Sequence, residues 1–229
     1  MHGATAALAA PLTVTHQRAA DALPPHGTLL DVGAGGGASS LPIAGGAGRL
    51  IAVDAGQDML DALRALAPAD LDVHTVRGRW PDVHTGVEMA DVAVCGHVVY
   101  NVADLGAFVT ALTEHASRRV VLELTEVHPQ SRLSPLWRHF WNIDRPTTPT
   151  ARDAIEVVTE SVGRGVQVEV ERWIRPDPGV CPGRSDEEIV AIARRRLCLP
   201  ATADPEIAEL LGPSPRLAPS EVVTVWWPA

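Results

Sequence analysis

Short apolar runs alternate with stretches of helical spacing over residues 28–126. TLLDVG (28–33), RLIAVD (49–54), DLDVHTVRG (70–78), ADVAVCGHVV (90–99) and RRVVLELTEV (118–127) read as strands. Most are continuous Val/Leu/Ile runs, the pattern of a sheet covered on both faces. Between them, ASSLPIAGG (38–46), GQDMLDALRALAP (56–68) and ADLGAFVTALTEHA (103–116) read as helices. In the second of these, Met59, Leu60, Leu63 and Leu66 share one face. Asp58 and Asp61 stand near its start, where the helix dipole favours acids. Such alternation predicts a parallel sheet with right-handed crossovers.

Beyond Pro129 the pattern changes. SRLSPLWRHFWNIDRPTTPT (131–150) is rich in Pro, Arg and Trp and has no simple period. ARDAIEVVTESVG (151–163) predicts a helix, and VQVEVERWIR (166–175) alternates as a strand with one face toward solvent. SDEEIVAIARRRLCL (185–199) opens with Ser185 as N-cap and Glu188 three residues on, a capping box. Its three arginines fall in the last turn, where cations suit the dipole. DPEIAELLG (204–212) predicts a short helix and EVVTVWWPA (221–229) a final strand. One domain over 1–229 is expected, with a small helical insertion near its C-terminal strands. Within it we distinguish a ligand-binding core (28–126), a lid or substrate segment (127–165) and a C-terminal part (166–229).

Composition narrows the possibilities. The net charge is −9 and all 19 basic residues are arginine. An acidic surface repels phosphate backbones, so long nucleic acid is not an expected partner. Cys95, Cys181 and Cys198 are odd in number and widely spaced, which argues against a disulfide framework and against a metal cluster. No apolar run approaches the length of a bilayer span, and the N-terminal stretch is a poor secretory signal. A cytoplasmic protein without membrane contact is expected.

The candidate chemistry lies in LLDVGAGGGA. A strand that ends in Gly-x-Gly-x-Gly and enters a helix lets the backbone approach a ligand closely, and the helix start offers free N–H groups. Asp54 ends the next strand, placed to accept hydrogen bonds from ribose hydroxyls. An adenosine-type ligand fits, and NAD and S-adenosylmethionine both qualify. Asp31, two residues before Gly33, suits a cationic ligand and sits badly beside a pyrophosphate. The third glycine, Gly37, need not follow dinucleotide spacing if the ligand has no pyrophosphate.

The chain resembles a class I S-adenosylmethionine-dependent methyltransferase. LLDVGAGGG is similar to the family's first motif, VDAGQDML resembles its second-strand acid followed by Met-Leu, and ADVAVCGHVVYNVADLGAFV resembles its fourth-strand segment. The resemblance covers roughly residues 28–126. It implies a Rossmann-like, doubly wound, three-layer α/β/α fold, with a seven-stranded, mostly parallel sheet and an antiparallel last strand. It also implies that Asp31, Gly33, Ala34, Gly35 and Gly37 meet the methionine end of the cofactor, and that Asp54 binds its ribose. Ala55 and Met59 are implied near adenine. Cys95, Gly96 and His97 are implied to line the cofactor. Arg79 and Trp80 stand where the family often has an aspartate for the adenine amino group, and arginine cannot accept that bond.

Other candidates concern the acceptor. Tyr100 and Asn101 occupy a position where the family often has a His pair. Trp137, Phe140 and Trp141 share one helix face, a stripe that is more often core, though its place after the fifth strand is where many members of the family build a lid over the substrate. His97 and His128 are candidate general bases. Methyl transfer to a small-molecule acceptor, yielding S-adenosylhomocysteine, is the expected activity. A non-catalytic cofactor-binding module and an NAD(P)-dependent oxidoreductase are the alternatives. No metal is expected, and oligomeric state is not readable.

Overall fold

The computed structural model describes residues 11–175, 185–212 and 220–229. Its strands are β1 (Gly27–Val32), β2 (Ala47–Asp54), β3 (Asp72–Arg77), β4 (Ala90–Gly96), β5 (Ala116–Thr125), β6 (Glu169–Arg175) and β7 (Ser220–Pro228). Its α-helices are α1 (Val14–Ala20), α2 (Gln57–Leu66), α3 (Leu105–Glu114), α4 (Ser134–Trp141), α5 (Ala151–Ser161), α6 (Asp186–Arg196) and α7 (Asp204–Leu211). The strands form one seven-stranded sheet in the order β3-β2-β1-β4-β5-β7-β6. Pairs β1–β2, β1–β4, β2–β3 and β4–β5 are parallel, and the last strand is antiparallel. The order reverses between β1 and β4, which is the switch point where such sheets take ligands.

Strand alternation divides the core in two. Leu30, Val32, Ile51, Val53, Ala93 and Cys95 face one apolar cluster, together with Phe108 and Val109 of α3 and Val158 of α5. Leu29, Leu50, Ala52, Val92 and Val94 face the other, with Ala19 of α1 and Leu60 and Leu63 of α2. Both sheet faces are therefore covered, as the unbroken apolar runs require.

Three local findings depart from the sequence reading. No α-helix follows the glycine loop: residues 36–40 form turns, and Leu41–Gly46 is a 3₁₀ turn. Pro42 and the Gly45-Gly46 pair explain this, since neither supports a helix interior. β4 ends at Gly96, because His97 adopts φ +59° and leaves strand geometry. Helix α1 was not anticipated. Its signal is Thr13, whose hydroxyl accepts from the His16 N–H in a capping box with a histidine in the N3 place.

The chain divides into two compact units. One comprises residues up to 124, 151–173 and 222–229; the other comprises 125–150 and 174–221. Helix α5 belongs to the first, where it packs on α3. The second has its own apolar cluster, in which Leu133 and Leu136 meet Val190, Ala193, Leu197 and Ile207. Ser185 and Glu188 cap α6 as their spacing predicts, and Arg194 at its C-terminal turn pairs with Asp204 at 2.8 Å. No helix among the described residues is long and apolar enough to cross a membrane.

Candidate active site

A cavity of about 580 Å³ opens at the C-terminal ends of β1, β2 and β4. Of the predicted residues, Gly33, Asp54, Ala55, Arg79, Trp80 and His97 line it. Val32, Val53, Val98, Val102 and Phe108 give it an apolar floor, and Asp82 and Asp104 add two carboxylates to its wall. Arg79 is the wall's fixed cation against the three acids Asp54, Asp82 and Asp104. The sequence reading missed Asp82 and Asp104. Asp104 is legible only as the N-cap of α3, where its Oδ1 accepts from the Ala107 N–H at 2.9 Å.

The glycine loop is shaped by close approach. Gly33, Gly35 and Gly37 all have positive φ. At Gly33 (φ +70°) a Cβ would come 2.2 Å from Val98 Cγ2. Glycine alone fits that turn. Gly96 is similar in space, since a Cβ there would come 2.3 Å from Ser39 Oγ.

Asp54 ties this loop to the next. Its Oδ2 accepts from the Gly35 N–H and its Oδ1 from the Gly56 N–H, both at 2.8 Å. Each carboxylate oxygen has a second lone pair, so the side chain retains acceptor capacity at the cavity wall.

Asp31 is fully buried at the end of β1. Ser40 Oγ donates to its Oδ2 at 2.6 Å, while Oδ1 has no partner among the described residues. Burial pushes its carboxyl up to about 7; Ser40 opposes that rise and the Asp54 charge adds to it. A buried acceptor lacking a donor beside a glycine loop is what an ammonium-bearing ligand would satisfy.

The remaining candidates scatter. Cys95 is in the apolar cluster beneath the cavity rather than on its wall, because alternation along β4 turns it inward; burial pushes its thiol far up. Met59 is 45% exposed and lies outside the buried face of α2, with its Cε methyl 3.4 Å from where a Gly35 Cβ would stand. Ala34 is buried in the other cluster. The Trp80 N–H donates to the Phe108 carbonyl at 3.3 Å, and its ring packs edge-on to His115. Tyr100 lies parallel to the His97 ring, with centroids 6.4 Å apart. The Asn101 side chain is outside the described residues.

In the second unit, Trp137 and Phe140 pack on that unit's own cluster, and the Arg145 guanidinium stands 5.3 Å from the Trp137 ring. Trp141 is 45% exposed, with its N–H donating to the Leu197 carbonyl at 2.8 Å. Burial, with the Arg145 charge, holds His128 below its ordinary value.

Comparison with known proteins agrees with this geometry. A family model described as "Methyltransferase domain" matches residues 29–118. No curated protein sequence matches the chain. Among solved structures, the YcgJ protein of Bacillus subtilis is 13% identical, with a TM-score of 0.62 and 98% of each chain covered. A methyltransferase-like protein of Bacillus halodurans is 14% identical, with a TM-score of 0.63, 93% of this chain and 96% of that chain covered. The magnesium protoporphyrin IX methyltransferase of Synechocystis, solved with S-adenosylhomocysteine, is 13% identical, with a TM-score of 0.55, 97% of this chain and 92% of that chain covered. These likenesses establish the fold. Residues 29–118 are similar to that methyltransferase-domain family.

Proposed function

We propose that the protein transfers the methyl group of S-adenosylmethionine to a small-molecule acceptor. The observation that carries this reading is the buried Asp31 with an unpartnered oxygen next to the glycine loop. An ammonium group supplies the missing donor, and the acid-rich wall of Asp54, Asp82 and Asp104 suits a cationic ligand better than a pyrophosphate. S-adenosylmethionine supplies an activated methyl on a positively charged sulfur. Asp54 offers acceptor lone pairs to the ribose hydroxyls. Asp82 and Asp104 offer the acceptor that Arg79 cannot give to the adenine amino group. The apolar floor excludes water, and fixed binding of both reactants provides proximity.

For the acceptor side we propose Tyr100 as a contact and His97 as the proton acceptor. A soluble cytoplasmic enzyme is in keeping with a buried free thiol at Cys95. Calorimetric titration with S-adenosylmethionine, S-adenosylhomocysteine and NAD tests the cofactor. Micromolar binding of the two sulfur compounds and none of NAD is expected. Binding of NAD alone would return the chain to the oxidoreductases. Binding without turnover of any acceptor would leave a sensing module.

A further inference from the structure

The second unit holds polar groups that methyl transfer does not use. Ser134 and Trp137 stand one turn apart on α4, at a spacing that puts them on one face. Ser134 Oγ and Trp137 Nε1 are both shut off from water, and neither has a hydrogen-bond partner among the described residues. Elsewhere in the same unit, buried Arg194 Nε and Asp204 Oδ1 at least face each other at 2.8 Å. No such neighbour stands at Ser134 or Trp137 among the described residues. An indole nitrogen only donates, and a hydroxyl has one hydrogen to give. Buried donors of this kind call for an acceptor oxygen.

Arg145 supplies a positive charge at the same place. Its Cζ stands 5.3 Å from the centroid of the Trp137 ring. The side chain is half-buried, and among the described residues it makes no hydrogen bond and no ion pair. The adjacent acid, Asp144, is taken by Arg138 at 3.0 Å. The uncompensated charge is felt at His128, which burial first, and then Arg145, hold below its ordinary value. Residues 125–150 carry three arginines against two acids, in a chain whose net charge is −9.

We propose that Ser134, Trp137 and Arg145 form a binding site for the carboxylate of a small organic acid. One cation and two neutral donors match a single negative charge, whereas a phosphate dianion would leave charge unmatched. A guanidinium packed over an indole ring keeps its in-plane N–H fork open to both oxygens of a carboxylate. The indole N–H and the Ser134 hydroxyl then serve the remaining lone pairs. All three residues lie in one compact unit, so the site is complete within it. It does not depend on the methyl-transfer reading.

The test uses the full chain without S-adenosylmethionine. Benzoate is the probe, and methyl benzoate, benzylamine and inorganic phosphate are the comparators. In ¹⁵N-labelled protein the Trp137 indole N–H, assigned by Trp137→Phe, shifts saturably with benzoate and stays in place with methyl benzoate and benzylamine. This readout is taken on wild-type protein, so it does not hinge on the folding of a variant. In calorimetry, Arg145→Gln weakens benzoate by about 10-fold or more, and Arg145→Lys, which keeps the charge and loses the fork, falls between. An indole N–H that ignores benzoate, or follows methyl benzoate equally, overturns the site. Wild-type affinity in Arg145→Gln overturns it too, and phosphate binding more tightly than benzoate overturns the carboxylate assignment.

Discussion

Asp54 and Gly35 are joined directly: the Gly35 N–H donates to Asp54 Oδ2 at 2.8 Å. The carboxylate that ends β2 thus sets the shape of the loop that ends β1, while lining the cavity both of them border. Asp54→Ala removes that hold together with the proposed acceptor for a ribose. Charged hydrogen bonds of this kind contribute roughly 1.5–3 kcal/mol. S-adenosylmethionine affinity should fall by about 10- to 150-fold in calorimetry. An unchanged affinity would detach Asp54 from the ligand.

Asp31 makes stability depend on pH in a defined direction. Its folded value, about 7, lies above the ordinary 3.8, so between these values the folded protein holds a proton that the unfolded chain releases. Its contribution is fully present below pH 3.8, is lost as pH rises through about 7, and is flat above that. A difference of this size is on the order of 4 kcal/mol. Asp31→Asn should therefore raise the melting temperature at pH 8 more than at pH 5, and weaken S-adenosylmethionine binding at both. Thermal denaturation at the two pH values checks the first part, and titration checks the second.

Two neighbouring glycines should respond differently to the same change. A Cβ at Gly33 collides with Val98, whereas one at Gly36 meets nothing within 4 Å. Gly33→Ala should cost roughly 1–3 kcal/mol and most of the cofactor affinity. Gly36→Ala should stay within about 0.5 kcal/mol of wild type. Equal losses at both positions would mean that the loop differs from the one described.

Cys95 and Cys198 offer a contrast in reactivity. Cys95 is buried with its thiol pushed far up, and Cys198 is exposed. Alkylation of native protein at pH 8, followed by peptide mass spectrometry, should mark Cys198 and spare Cys95. Cys95→Ser should lower the melting temperature without changing S-adenosylhomocysteine affinity.

Much of the cofactor-binding half is legible in the sequence, because its determinants are local. Unbroken apolar runs give the parallel strands, and a strand's end fixes where Asp31 and Asp54 stand. What was not legible depends on distance along the chain. Glu123 looked like one more residue of a strand, and nothing in its neighbours reveals that Thr15, 108 residues away, donates to it with Thr224, 101 residues away, behind Thr15. Asp82 reaches the cavity wall through a loop without periodicity. The 3₁₀ turn after the glycine loop was legible in retrospect, since Pro42 and Gly45-Gly46 oppose the helix read over 38–46. Cys95 could have been turned inward by counting alternate positions along β4.

The buried contact between the Thr15 and Thr224 hydroxyls has an order in time. A chain emerges from the ribosome from residue 1 onward. Thr15 is therefore made about two hundred residues before Thr224, whose hydroxyl stands 2.8 Å from its own. Until β7 enters the sheet between β5 and β6, Thr15 lacks its Thr224 neighbour. The parallel half can assemble early, but this buried contact closes only when one of the latest strands arrives.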